Sequence, residues 1–193
     1  GEGGGGRGWA DDQPRAEAAR RHDMPMRAGE PARALGRSVS GGEALPAERG
    51  ARLDAAPPYP AGVEAALLAE VAESHCGALP PTALAPMARV QRLWDAWMAD
   101  SMRAATAPPL SADGAVLIAG GGHVRADRAV PRHLPDGAAG GSVTVEMVEV
   151  VDGWDTATDY PAFDPRRFDY VWFTPRVDDD DPCDAFSAKP ASD

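Results

Sequence analysis

The chain has 193 residues, with 19 basic and 30 acidic side chains and a formal net charge of −11. That balance excludes the basic stripe a nucleic-acid binder needs to displace counterions from phosphates, and it disfavours docking on an anionic membrane surface. The apolar share of 44% is enough for a packed core, and no run of 18 apolar residues offers a membrane-spanning helix.

The charge is uneven. Residues 151–193 carry eleven acids and four bases, a net of −7, whereas residues 1–60 are neutral. Asp178 to Asp181 reads as a solvated acidic tail. The chain opens on Gly1-Glu2-Gly3-Gly4-Gly5-Gly6, without a basic or apolar leader, so these residues hold no signal peptide. A start inside a glycine run points to a processed or truncated chain. Cys76 and Cys183 are the two cysteines, too few for a metal finger. They form one disulfide in an oxidising compartment or stay as two thiols; the sequence leaves both open.

In chain order, residues 1–14 read as a flexible Gly-rich segment. Ala16 to His22 has helical composition, Pro25 to Ala28 suits a short strand, and Pro31 to Leu45 suits a helix broken at Gly41-Gly42. Residues 46–62 hold four prolines and read as loop. Val63 to Ser74 is a helix with Val63, Leu67, Leu68 and Val71 on one stripe, closed by Gly77 and Pro80-Pro81. Pro86 to Thr106 is the strongest helical pattern, with Met87, Val90, Trp94, Trp97 and Met98 recurring every three or four residues. Ala115 to Ala119 is a continuous apolar run, the pattern of a strand buried on both faces. Ser142 to Val151 alternates around Val143, Val145 and Met147, with Glu146 between them, and Tyr170 to Thr174 is β-branched and aromatic. Helices among three strands indicate an α/β fold.

The stretch Gly120-Gly121-Gly122-His123 follows the apolar run. Ligands in open α/β sheets bind at the carboxyl ends of strands, and glycines permit close approach to the backbone. His123 there suits iron or other metal ligation or acid–base work; a tight turn with a satisfied histidine is the plain alternative. Arg125, Arg128 and Arg132 either grip an anionic ligand or form ion pairs with Asp127 and Asp136, and spacing alone favours the ion pairs. Gln91, Asp95, Met98 and Met102 share one face of the long helix, either as a ligand wall or as ordinary core and surface. Cys76 closes a helix C-terminus, the wrong end for an activated thiol, so a structural role is expected. His22 and His133 read as exposed.

Taken in order, Ser74–Pro80 (SHCGALP), Val90–Ala99 (VQRLWDAWMA), Val116–Pro131, Phe168–Arg176 and Asp181–Cys183 (DPC) resemble the ChaN-type haem-binding proteins of the Tiki superfamily, also described as iron-regulated ChaN-like lipoproteins. Gln91, Asp95, Met98 and Ala99 match the family's helix motif, and Gly120, Gly122 and His123 match its glycine-histidine motif. The resemblance covers roughly residues 13–186. It departs where Gly121 stands in place of the family's usual Asn, where Glu30 replaces an Asn after a short strand, and at Ala129-Val130-Pro131. The family's N-terminal strand and Gly-Glu-x-His-Asp motif are not found, which implies a truncated domain.

The resemblance implies a mostly parallel sheet flanked by helices, its first strand missing. It places a ChaN-like domain at 15–186 with a helical insert at 33–107, then a tail at 187–193. It implies haem binding for iron uptake at the bacterial cell envelope, in the periplasm or on a lipoprotein anchor of the parent protein, without catalytic turnover. Haem is the implied cofactor and partner, with an outer-membrane haem receptor system and a homodimer as further implied partners. Candidate haem contacts are Gln91, Asp95, Met98, Gly120, Gly122, His123, Arg125 and Tyr170, with Tyr160 a second tyrosine to consider and His123 the candidate metal ligand. Trp94 and Trp97 are candidate walls. The rival reading is a metal-dependent hydrolase of the same superfamily, with Zn or Mn on His123 and Asp95 as partner; a structural remnant is a third.

Overall fold

The computed structural model describes residues 9–29, 31, 33–43, 45, 47–54, 59, 62–108, 113–134, 141–181, 183 and 184. Its helices are α1 (Trp9–Arg21), α2 (Arg33–Ser40), α3 (Ala47–Asp54), α4 (Val63–Ser74), α5 (Pro81–Thr106) and the single turn α6 (Gly121–Val124). Two strands follow, β1 (Val145–Glu149) and β2 (Tyr170–Thr174), paired in parallel with Val145 opposite Tyr170 and Met147 opposite Trp172.

The long helix α5 organises the core. On one side Val39 of α2 packs on Val90 and Leu93, joined by Leu35, Leu45 and Trp94. At its N-terminal end Leu67 and Val71 of α4 meet Ala88, with Tyr59, Leu79, Leu84 and Met87 around them. Further along, Met98 and Ala99 pack on Val130 with Met102, Leu117, Ala119 and Leu134. A 12-residue helix such as α4 is marginal alone, so burial of Leu67 and Val71, about 1.5–3 kcal/mol each, holds it in place. Pro81 at the first helical position starts α5, one turn and a half before Pro86, because proline's missing N–H costs nothing there.

Several elements differ from the sequence expectations. Residues 9–14 are helical, with Pro14 inside α1, although a flexible segment was expected through residue 14; residues 1–8 lie outside the described residues. Pro25 to Ala28 forms no strand. The breaker-rich stretch 46–62 contains α3, because Ala47–Asp54 itself holds no proline. The apolar run Ala115–Ala119 is extended but joins no ladder, and it is buried on one face only. Leu117 and Ala119 reach the α5 core, whereas Val116 is 78% and Ile118 60% exposed. Burial on both faces needs a layer on each side, and the described residues supply one. The sheet among the described residues is therefore β1 and β2 alone.

The strand pair is fastened at its start by Thr144, whose backbone N–H and hydroxyl both donate to Asp169 at 2.8 and 2.9 Å. The Cys76–Cys183 disulfide ties the segment after β2 to the turn that ends α4. It decides between the two cysteine states that the sequence leaves open.

Candidate functional site

The Gly120–His123 stretch does not end a strand; it is the turn α6, capped by Gly120. The turn directs His123 at α5, where its Nδ1 lies 2.7 Å from Asp95 Oδ1. Asp95 is 4% exposed. Burial pushes its carboxyl up from the ordinary aspartate range, while the His123 bond and the charges of His123, Arg128 and Arg92 work the other way. With Nδ1 held by a carboxylate, the ring nitrogen left for a ligand is Nε2, the arrangement that orients metal-bound histidines and raises their basicity. The Trp94 ring stands beside the imidazole, centroids 6.0 Å apart.

A second layer of charge lies behind the turn. Arg125 and Arg128, both buried, share Glu70 of α4: Arg125 Nη1 donates to it at 3.0 Å and Arg128 Nη2 pairs with its other oxygen. Arg125 also makes a two-point bond to Asp127, Nε at 2.9 Å and Nη2 at 2.6 Å. Burial opposes charge on both Arg125 and Asp127, yet their pairing outweighs it and holds the Asp127 carboxyl below its ordinary range. From the strand side, Glu146 of β1 reaches Gly121, where a Cβ would overlap its carboxylate. Burial and then the Glu70 charge push the Glu146 carboxyl up.

The sequence candidates separate accordingly. His123, Asp95, Gly120 and Gly122 are brought together. Gln91 lies half-buried one turn before Asp95 on α5. Met98 is 2% exposed and belongs to the packed core. Arg125 is engaged by Glu70 and Asp127. Tyr170 stands opposite Val145, on the strand face turned away from Glu146, and is 64% exposed. Tyr160 is buried; its hydroxyl accepts from the Val151 N–H at 2.9 Å and its ring packs edge-on against Trp154 and Phe173. Trp97 lines a separate open groove of about 510 Å³ with Arg27, Asp100 and Ser101, on the side of α5 away from Asp95.

His133, expected exposed, is half-buried under three arginines. Sequence reasoning missed Glu70, because its nearer partner, Arg125, lies 55 residues away. The signal for Glu146 was present: a carboxylate inside an apolar alternation. Among the described residues no three His, Cys, Asp or Glu side chains gather as a metal-holding group.

A family model described as haem-binding uptake, Tiki superfamily, ChaN matches residues 6–134. The chain belongs to that family. The match contains α5, the His123 turn and both arginines on Glu70, and it ends before the strand pair. Haem-binding uptake is the function the ChaN family carries, and haem is the ligand it names. No curated protein and no solved structure is similar enough to match.

Proposed function

We propose that this chain binds haem at the Gly120–His123 turn and that His123 holds the iron through Nε2. The observation that carries this reading is the His123–Asp95 bond of 2.7 Å on a buried carboxylate. An imidazole fixed in this way is a proximal haem ligand in chemical type. The surroundings fit the group. Among the described residues, none beyond its chain neighbours comes within 4 Å of where a Cβ on Gly120 would be, and Trp94 offers an aromatic neighbour to the imidazole. Haem, when bound, supplies an iron to be carried; the chain's own work is to hold the imidazole by Nδ1 and to keep its ring oriented.

The same reading places the protein in the bacterial cell envelope, where an outer-membrane receptor system delivers haem. The Cys76–Cys183 disulfide supports an oxidising compartment of that kind.

Hemin titration followed in the Soret band tests the assignment. A saturable shift at one equivalent is expected. His123→Ala removes or moves it, Asp95→Asn moves it by altering the tautomer and basicity of the ligand, and Tyr170→Phe leaves it unchanged. Loss of the band in Tyr170→Phe with retention in His123→Ala would overturn the choice of ligand.

A further inference from the structure

Beside His123 the structure gathers buried hydrogen-bond donors that have no acceptor among the described residues. Arg128 is 3% exposed; Nη2 pairs with Glu70, but Nη1 is buried with no partner. Arg92 of α5 lies over the Tyr59 ring, 4.9 Å from its centroid, and its Nε is likewise buried and unpaired. Trp94 Nε1, two residues further along α5, is a third such donor. Burial raises the Tyr59 hydroxyl's pKa, which keeps a proton there to donate.

These groups are neighbours. Arg92 lies two residues before Trp94, whose ring is 6.0 Å from that of His123, and Arg128 Nη2 lies 4.0 Å from where a Cβ on Gly122, the residue before His123, would be. In a chain with a net charge of −11, two arginines here thus keep a buried N–H that the neighbouring carboxylates do not take up. A buried donor left unsatisfied costs about 1–3 kcal/mol, more when charged, and native structures reserve such groups for a missing partner. Several donors without an acceptor call for an oxyanion, and guanidinium is the side chain best matched to carboxylate or phosphate.

We propose that Arg92 and Arg128 form a seat for an oxyanion beside His123, filled in the haem-loaded protein by a propionate carboxylate. The propionate half rests on the haem reading above; the seat itself does not. Arg125, the sequence candidate for a propionate contact, is already engaged on both its faces, which leaves this role to its neighbour three residues on.

The test has two arms. Inorganic phosphate is titrated into the haem-free protein by calorimetry. Hemin and hemin dimethyl ester, which lacks the propionate charges, are titrated in the Soret band. Both arms compare the wild type with Arg92→Gln, and Arg128→Lys serves as a second variant that keeps the charge but loses the two-point fork. Arg92→Gln removes a buried unpaired donor and also the stacking on Tyr59, so its ligand-free melting temperature is measured beside the titrations to separate lost folding from lost binding. In the seat's favour, either phosphate or hemin binds roughly ten-fold more weakly to Arg92→Gln, the loss of one charge-assisted hydrogen bond.

Hemin weakened and its dimethyl ester unaffected, with the band position unchanged because His123 is intact, identifies the propionate. Phosphate weakened alone upholds the seat and overturns its assignment to propionate. If hemin fails to bind the wild type, the haem reading and the propionate half fail together, while the phosphate arm still decides the seat. Equal phosphate, hemin and ester affinities in wild type and Arg92→Gln would overturn the proposal.

Discussion

The Glu146 carboxylate occupies the space that a Cβ at position 121 would need, so Gly121 is glycine because of a side chain on β1. The colliding atoms are all at the far end of Glu146, which can swing away. Gly121→Ala should therefore cost little stability, under about 1 kcal/mol by urea denaturation, yet displace the carboxylate. The sensitive readout is the Glu146 titration followed by NMR. In the wild type burial and Glu70 hold it above the ordinary glutamate range. In Gly121→Ala it should fall back as the carboxylate moves toward water. An unchanged titration would mean that Glu146 does not pack on the turn.

The Cys76–Cys183 bond spans 107 residues and joins α4 to the segment after β2. Among the described residues the strand side also meets the helical part where Glu146 packs on α6 and where the Ala126 N–H donates to the Arg167 carbonyl at 2.7 Å. A loop of that length confers about 2–5 kcal/mol when closed. Reduction, or Cys76→Ser with Cys183→Ser, should lower the unfolding free energy from urea denaturation by that amount. Hydrogen exchange should quicken first in residues 141–181 and little in α5. Uniform loss of protection would instead show that the two parts unfold as one unit.

Local pattern was legible, and partners distant in the chain were not. The bounds of α4 and β2 follow from the stripe Leu67–Val71 and from five consecutive strand formers, and the structure keeps both. Alternation in 142–151 marked a strand but not its inward face. Val145 and Met147 point outward, 42% and 70% exposed, and Glu146 points in, because Gly121 leaves it room beside Arg125 and Glu70. His123 and Asp95 were each visible as candidates. The rival reading paired them and the plain alternative at the glycines was a tight turn; the structure joins the two, a helical turn that brings His123 Nδ1 to 2.7 Å from Asp95. Arg125 and Arg128 do lie together as their spacing suggested, but what joins them is Glu70 on another helix.

His133 gives the molecule a distinct response to acid. Burial first, and then the charges of Arg92, Arg103 and Arg132, push its pKa down from 6.5 to about 4. Between those values the unfolded chain carries the proton and the folded chain does not. Unfolding then takes up a proton, and stability rises with pH across this window. The contribution is fully present above about pH 6.5 and is lost as pH falls toward 4. A shift of this size corresponds to about 3 kcal/mol. Asp95 and Glu146, raised by burial, act with the opposite sign above the ordinary carboxylate range. Asp164, lowered to about 2 by its bonds to Arg166, acts only below it. The comparison of wild type with His133→Gln therefore isolates the histidine. Urea denaturation at several pH values from 4 to 7 should show the wild type losing stability toward acid more steeply than the variant, with the two slopes equal above pH 7. Parallel slopes throughout would mean that His133 is as free to take a proton in the folded chain as in the unfolded one.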